Sequence, residues 1–498
     1  MKWLSVLGMG LSCLGAVACG PVETGPSCPD PADGEVDEEC GIWVSASLGD
    51  DANPGTRAAP MASLSAAVAK ATNENVHLYA CGELWTEPLI LPATTWLYGG
   101  FDCHDGWTFK GETHRARIET GPDQIPLRTA GYGKVLQITD FSIRAADATV
   151  PGGSSIAVFV DDQNDVTFRR CGITAGRGAD GLDAEAIVEP APAGAEGSAG
   201  ADACTTADGP GGTSPETACG TDVLSRGGKG GDGGAMLATA GEAGLPAPRG
   251  EKDPSDPQDG DGGKGQIGAE PCTPGEPGAD GAKGARGTSS LHVGFLTVDG
   301  YRGHAGEDGK DGLPGQGGGG GGAARGGAAV CGAATPGGAG GGSGGAGGCG
   351  GQGGKGGQPG GSSFAIVMLR NSTYFLAGCD VWVSDGGNGG DGAPGQPGGA
   401  GGEPGPGGAG QGTLQNACQG GKGGAGGKGG GGAGGQGGHA IHFAFDYVTI
   451  HPKDFSQDTT YHSGAFGGEG GNGAEGAESG DGGYDSAIGG TIYLQFLE

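Results

Sequence analysis

Glycine is the feature that most constrains what this chain can fold into. It supplies 124 of the 498 residues, whereas an average protein contains about 7% glycine. In the second half of the chain it recurs with a three-residue phase, as in GGKGGAGGKGGGGAGG, which begins at Gly420. Glycine-rich chains are flexible coils by default, but a disordered chain has no reason to keep a fixed phase. The phase therefore favours an ordered structure.

Collagen and polyglycine II are the two ordered structures with three residues per turn. Collagen requires three chains and glycine at every third position, and only Gly275–Gly287 keeps that spacing through several triplets. In a polyglycine II helix the GGx triplet puts glycine on two faces, where neighbouring backbones can hydrogen bond closely. We therefore predict polyglycine II bundles, with disorder as the alternative. The segments resemble the G-G-x modules of mycobacterial glycine-rich surface proteins and springtail antifreeze proteins.

The charge and motif content exclude several functions. With 58 acidic and 27 basic residues, the net charge is −31, and such a chain repels nucleic acid backbones. The GxGxxG pattern recurs so often that it carries no information about a dinucleotide. We therefore predict no nucleic acid partner and no cofactor.

The first residues predict export. Residues 1–18 have the layout of a signal peptide, with Lys2 before a short apolar run that ends in small residues. Those small residues, followed by Cys19, resemble the lipobox of bacterial lipoproteins. The resemblance implies that Cys19 is lipidated and that the protein is anchored in the outer membrane, on the cell surface or the periplasmic face. The alternative is ordinary cleavage with Cys19 free for a disulfide. Residues 19–40 are predicted to form an acidic, Pro- and Gly-rich tether.

The cysteine count agrees with an oxidising compartment. Without Cys13 in the signal and Cys19, the 14 cysteines leave an even number for disulfides. Sequence does not determine connectivity, but short-range pairs are plausible, namely Cys28–Cys40, Cys81–Cys103, Cys204–Cys219 and Cys331–Cys349.

Residues 41–175 read as short strands around one amphipathic helix. The helix is predicted at Met61–Ala71, where apolar residues recur at helical spacing from Leu64. Strands are predicted at Val76–Ala80, Leu89–Leu91, Thr95–Phe101, Lys134–Arg144, Ile156–Asp161 and Val166–Cys171. Similar strand pairs return later in the chain, ending at Thr491–Leu497, between glycine-rich insertions at about 176–288, 306–361, 386–438 and 465–483. We interpret 176–498 as a continuation of the same domain.

The segment from Val44 to Ala67 resembles the entry of pectin-lyase-like proteins, with its pattern V-S-x-x-G-x-D-x-N-P-G-T and a following P-x-x-S-L-x-x-A. The resemblance implies an all-β fold, a right-handed parallel β-helix with an N-terminal capping helix. In this chain the polyglycine II bundles would interrupt that fold.

Two kinds of site are considered. Polysaccharide lyases and hydrolases of the β-helix class need carboxylates with a nearby cation, for which the candidates are Asp161, Asp162, Asp165 and Arg169. These lie in a turn and strand where polar residues are expected anyway. The stretch around Asp180 approximates one calcium-binding nonapeptide, but that mechanism needs several in tandem, so no metal is predicted.

The predicted function is therefore non-enzymatic: a surface-exposed structural or adhesive lipoprotein that binds extracellular polysaccharide or other envelope proteins. The overall style resembles myxobacterial surface lipoproteins. One alternative is a polysaccharide lyase or hydrolase. Another is an ice-binding protein, although the third positions of the triplets mix Lys, Gln, Ala, Asp and Pro rather than forming a uniform face.

Overall fold

The computed structural model describes residues 28–74, 77–92, 94–220, 223–246, 259–289, 293–297, 300–446, 455–476, 478–479 and 491–496. The predicted signal peptide, Cys19 and the first part of the predicted tether lie outside these residues. Strands and helices are numbered in chain order. Most strands belong to three sheets, and most pairs of consecutive strands in the chain are divided between different sheets. Sheet neighbours are therefore distant along the chain, and nearly all of them pair in parallel, as crossover connections require.

Sheet 1 contains eight strands. Its parallel strands, in spatial order, are β1 (Gly41–Val44), β2 (His77–Cys81), β5 (Thr95–Asp102), β9 (Val135–Thr139), β12 (Asp165–Arg169), β19 (Thr373–Ala377) and β22 (Phe455–Gln457). The remaining strand, β6 (Thr108–Phe109), pairs antiparallel with β5.

Sheet 2 contains six parallel strands. In spatial order they are β3 (Leu84–Trp85), β7 (Ala116–Glu119), β10 (Phe141–Arg144), β13 (Gly172–Thr174), β20 (Asp380–Trp382) and β23 (Thr460–His462).

Sheet 3 contains eight strands. Its order is β4 (Leu89–Leu91), β8 (Leu127–Thr129), β11 (Ser155–Val160), β18 (Ser363–Met368), β21 (Ala440–Asp446), β24 (Thr491–Phe496), β16 (Phe295–Thr297) and β17 (Gly300–Arg302). Only β16 and β17 pair antiparallel within it. A separate antiparallel pair is formed by β14 (Glu216–Ala218) and β15 (Leu224–Arg226).

The fold class predicted from the sequence is wrong. In place of an all-β right-handed parallel β-helix with polyglycine II interruptions, the structure has three mostly parallel sheets with small antiparallel pairs, an arrangement closer to the α/β type. Sheet 3 shows the physical reason for this difference from the predicted fold. Every residue of its strands β11 and β18 is buried. Parallel sheets covered on both faces have such continuous apolar strands. The outer cover comes from β16 and β17, whose Leu296 and Tyr301 pack against Phe159, Phe364 and Ile441.

One helix lies at the start of the sheets. Helix α1 spans Leu64–Glu74 and packs against β1, β2, β4 and β5. It begins later than the predicted Met61, because Met61 is paired with β1 through its backbone N–H to the Trp43 carbonyl at 3.0 Å. The Asp51 carboxylate instead accepts the backbone N–H of Ser63 at 2.8 Å. A second, short helix, α2, spans Ala328–Cys331, and 3-10 turns lie at Glu38–Cys40, Gly111–His114 and Ala474–Gly476.

The turns between sheets divide some predicted strands. The single strand predicted at Lys134–Arg144 is split into β9 and β10 by Asp140, whose φ is 56°. At the next turn the left-handed residue is Gln163, while the neighbouring Asn164 is fully buried. The Asn164 amide donates to the carbonyls of Gly131 and Asp161, each at 3.0 Å. This side chain therefore satisfies backbone groups of two adjacent turns.

The glycine-rich segments form a layer beside the sheets, which we call the glycine layer (residues 176–212, 259–289, 303–361, 385–438 and 464–474). Backbone hydrogen bonds between its segments recur every third residue. For example, the N–H groups of Gly348, Gly351 and Gly354 donate to the carbonyls of Gly424, Gly427 and Gly430 at 3.0, 2.9 and 2.9 Å. The layer is thus ordered by its own backbone.

A single triplet shows why glycine is required. The Gly426 N–H donates to the Gly399 carbonyl and the Gly427 N–H to the Leu313 carbonyl, both at 2.8 Å, so the two glycines face different neighbours. A Cβ on Gly426 would lie 1.9 Å from the Cys349 carbonyl oxygen, and one on Gly427 would lie 2.0 Å from that of Ala282. The third residue, Lys428, points its side chain outward. In this triplet a side chain is therefore tolerated only at the third position.

Five disulfides confirm the expectation of a disulfide-bonded chain. They are Cys28–Cys40, Cys81–Cys103, Cys204–Cys331, Cys219–Cys349 and Cys272–Cys418. The suggested pairs Cys204–Cys219 and Cys331–Cys349 are wrong, because the glycine layer brings distant segments together. Cys204, for instance, donates its N–H to the Gly337 carbonyl at 3.0 Å. Cys171 and Cys379 are buried thiols, and the Cys171 N–H donates to the Cys379 sulfur at 3.4 Å.

Among the described ranges, no helix has the length and apolar character needed to cross a membrane. Residues 28–40, at the end of the predicted tether, lie against the sheets, where Val36 is buried.

The glycine layer predicts a strong dependence on position for glycine substitutions. Gly427→Ala places a methyl group against the Ala282 carbonyl, so we expect the free energy of unfolding to fall by about 1–3 kcal/mol. Gly327→Ala is the matched control, because a Cβ there would meet no atom within 4 Å. Urea unfolding with hydrogen exchange across residues 420–435 measures both. Equal destabilisation by the two variants would contradict the proposed steric limit.

Buried His439 predicts a loss of stability in acid. The side chain is 1% exposed, and burial lowers its pKa from 6.5 to about 4. The folded state therefore holds neutral His439, while the unfolded chain takes up a proton below about pH 6.5. Stability should be full above that pH and decline by about 3 kcal/mol as the pH falls through 4.

The measurement is urea unfolding at a series of pH values between 7.5 and 3.5. His439→Gln keeps a donor for the Val293 carbonyl, which His439 Nε2 approaches at 2.9 Å, and should remove this part of the acid dependence. His114→Gln, at a partly exposed histidine, should leave it intact. An unchanged pH profile in His439→Gln would refute the assignment.

Candidate functional site

The four residues considered for catalysis do not converge. Asp161, at the end of β11, forms an ion pair with Arg128 Nη2 at 3.3 Å, and Asp162 follows it in the same turn. Burial raises the pKa of Asp161, and the Arg128 guanidinium opposes that rise. Asp165 and Arg169 are exposed at opposite ends of β12, about 13 Å apart along the strand.

The calcium candidate, Asp180, serves the glycine layer. Its exposed carboxylate accepts the Asn388 backbone N–H at 2.7 Å and is paired with Arg177 at 3.2 Å. Asp183 and Asp391 repeat this contact one triplet further on, also at 2.7 Å. These carboxylates therefore link neighbouring segments of the layer by hydrogen bonds to its backbone.

Sheet 2 presents an open polar face. Along each strand the residues alternate, so that Ile118, Ile143, Ile173 and Val381 are buried on the inner side. The outward residues form two rows across the sheet, set by the parallel register. One row contains Arg117, Ser142, Gly172, Asp380 and Thr460, and the other contains Glu119, Arg144, Thr174, Trp382 and His462.

Trp382 is a large aromatic residue that lies exposed on this face. Its side chain is 46% exposed, although tryptophan is usually among the more buried residues. One face of its indole stacks on the His462 ring, with centroids 3.3 Å apart and an angle of 8° between planes. The stack holds Trp382 in one orientation and leaves its opposite ring face toward β13.

The space beside Trp382 is kept open by small residues. Gly172 and Thr174 lie on β13, between the strand that carries Asp380 and Trp382 and the strand that carries Arg144. A Cβ built at Gly172 would contact Arg115 Nη1 at 3.6 Å and Ser142 Oγ at 3.7 Å, so the opening lies over Thr174. Since β10 and β20 are two strand spacings apart, the opening is about 10 Å wide. We call this opening the sheet 2 trough.

Arg144 and Arg117 form the opposite wall of the trough. The Arg117 guanidinium lies 3.6 Å from Glu119, which partly neutralises it. Arg144 is exposed on the outer face of β10, and its guanidinium makes no ion pair with a described residue. Arg144 also lines a cavity together with Glu119 and Asp147. The wall thus offers one guanidinium to a ligand.

Arg115 closes the other end of the trough. Its Nε donates to the Arg170 carbonyl at 2.7 Å, and its Nη1 lies 3.6 Å from Asp380. Arg170 is itself held by two hydrogen bonds to Asp140, at 2.9 and 2.7 Å. Burial raises the pKa of Asp140, and the Arg170 guanidinium opposes the rise. These contacts hold the Arg115 guanidinium beside Asp380.

The residues of the trough were missed in the sequence, although one signal was present. In Asp380-Val-Trp-Val383, the two valines alternate with Asp380 and Trp382. In a strand, such alternation places both valines on the side that faces the core. The alternation places Asp380 and Trp382 together on the outer face, where an exposed tryptophan is unusual. The other side of the trough comes from strands more than 200 residues earlier in the chain, and no local pattern predicts that pairing.

Comparison with family models, with curated proteins and with solved structures found no match. The disulfides indicate the compartment in which the protein resides. Five disulfides are typical of proteins outside the cytoplasm.

Proposed function

We propose that this protein is a non-enzymatic, surface-exposed lipoprotein that binds extracellular polysaccharide in the sheet 2 trough. The observation that carries the proposal is the exposed indole of Trp382, held by His462 beside the small residues Gly172 and Thr174. A flat aromatic face next to small residues is suited to the flat face of a sugar ring.

The groups around Trp382 supply the contacts that a pyranose needs. The C–H groups on one sugar face carry partial positive charge and pack against the negative face of the indole. Asp380 accepts hydrogen bonds from hydroxyl groups, while Ser142 and Thr174 both donate and accept. Arg144 lies within reach of a carboxylate on an acidic sugar, which it can bind in a bidentate manner.

The trough is better suited to binding than to cleavage. Glycoside hydrolysis generally requires two carboxyl groups about 5–10 Å apart. The carboxylates of the trough, Glu119 and Asp380, project from β7 and β20, three strand spacings or about 14 Å apart. Asp380 also lies 3.6 Å from Arg115 and 3.7 Å from His462. This arrangement supports a structural or adhesive role.

Anchoring through a lipid on Cys19 completes the proposal. It is supported by the lipobox-like residues before Cys19 and by the disulfides typical of an exported chain. The ordered glycine layer suits a surface protein, because its backbone N–H and C=O groups are engaged with each other. A protease needs an extended, accessible segment, and a layer whose segments are hydrogen bonded to each other offers few of them.

The test is a glycan array with the purified chain, with a readout for cleavage products. We expect binding without products. Trp382→Ala should weaken binding to the best glycan by about 30-fold, since a central aromatic anchor contributes about 2 kcal/mol. Arg144→Gln should weaken binding to uronic acid glycans more than binding to neutral ones.

Tyr132→Ala is the matched control, because Tyr132 is 69% exposed and lies outside the trough. It should bind as the unmodified chain does. Release of oligosaccharides would support an enzyme instead, and full binding by Trp382→Ala would move the site elsewhere.

A further inference from the structure

A second cluster of reactive groups lies at the ends of β1, β2 and β5, outside the sheet 2 trough. It contains the disulfide between Cys81 and Cys103, which are 3% and 6% exposed. The two sulfur atoms and a carboxylate oxygen of Glu83 lie within 4.8 Å of one another. His104 Nε2 lies 3.5 Å from Glu83 Oε1. Two sulfurs and a carboxylate therefore meet at one place, and the His104 imidazole, which is 62% exposed, lies beside the carboxylate.

The Glu83 carboxylate is held in position by neighbouring serines. Ser45 Oγ donates to Glu83 Oε2 at 3.0 Å, and the Ser47 backbone N–H donates to the same oxygen at 3.3 Å. Ser47 Oγ donates to Oε1. The Glu83 side chain is only 16% exposed. Such outer hydrogen bonds orient a ligand and are typical of metal centres.

We propose that reduction of the Cys81–Cys103 disulfide creates a zinc site whose ligands are Cys81, Cys103, Glu83 and His104. Two thiolates, one imidazole and one carboxylate are a ligand set that suits zinc. A tetrahedral site separates its two sulfurs by about 3.8 Å, given Zn–S bonds of about 2.3 Å. The Cα atoms are 5.5 Å apart, so side-chain rotation alone can separate the sulfurs.

The chemistry balances with an external reductant. A phosphine takes oxygen from water and gives two electrons to the disulfide, so that the S–S bond breaks and two thiols form with the phosphine oxide. Zinc then displaces one proton from each thiol and forms two Zn–S bonds. A small-molecule disulfide reverses the step: it takes two electrons from the thiolates and two protons from water, leaves as two thiols, and the Cys81–Cys103 bond forms again as the metal is released. The site therefore binds metal in only one redox state.

The redox state determines whether the two sulfurs form a disulfide or bind zinc. In the oxidised chain the disulfide joins the ends of β2 and β5, and its neutral sulfurs lack the thiolate charge that binds a metal cation. In the reduced chain the same two positions would be joined through zinc. The cross-link between the two strands is then kept in both states.

The experiment uses the full chain, oxidised or reduced by a water-soluble phosphine, and titrates Co²⁺ as a spectroscopic probe for zinc. We expect the reduced chain to bind one equivalent with a sulfur-to-cobalt charge-transfer band, and the oxidised chain to show no such band. Added Zn²⁺ should displace the cobalt. Glu83→Gln, which keeps the side-chain shape, should lower the cobalt affinity by at least about 10-fold.

Two variants separate this site from other thiols. Cys81→Ser with Cys103→Ser should lose the band, while Cys171→Ser with Cys379→Ser, at the buried thiols, should retain it. Circular dichroism follows the fold throughout. An equal band in the Cys81/Cys103 double variant, full affinity in Glu83→Gln, binding by the oxidised chain, or unfolding upon reduction would each overturn the proposal.

Discussion

The close approach of glycine backbones is the contact on which the rest of the structure depends. Within the glycine layer, N–H groups reach carbonyls of adjacent segments at distances such as 2.8 Å for Gly427 to Leu313. A Cβ in this position would come within 2.0 Å of a carbonyl oxygen. In triplets such as Gly426-Gly427-Lys428, the two glycines remove that obstacle on two sides. The layer thus builds a packed interior from hydrogen bonds, with few apolar side chains.

Such a layer is costly in conformational entropy, because glycine loses more freedom on folding than any other residue. Cross-links reduce this cost by restricting the unfolded chain. Cys204–Cys331, Cys219–Cys349 and Cys272–Cys418 join positions 127, 130 and 146 residues apart. At its edge the layer also continues directly into sheet 3, where the Ser363 N–H donates to the His439 carbonyl at 2.7 Å. Both features tie the layer to the rest of the fold.

The sequence predicted local features better than global ones. Leu89–Leu91 was predicted and found with the same bounds, since a short apolar run gives a clear signal. Helix α1 begins three residues later than predicted, because Met61 is hydrogen bonded to β1 instead. The fold class was wrong, since burial of sheet 3 on both faces depends on β16 and β17, whose position follows from tertiary contacts. The trough was not foreseen, because Arg144 and Trp382 come together only through the pairing of β10, β13 and β20.

The three-residue repeat of the glycine layer limits how such a chain can change in length. Each segment keeps glycine in a fixed three-residue phase, so adding or removing a whole triplet lengthens or shortens the segment and preserves the phase of every position beyond it. Adding a single residue would instead shift the register of all later positions by one place and bring side chains such as Lys428 to positions where a Cβ meets a neighbouring carbonyl. Insertions and deletions that the layer can accommodate are therefore expected in multiples of three residues.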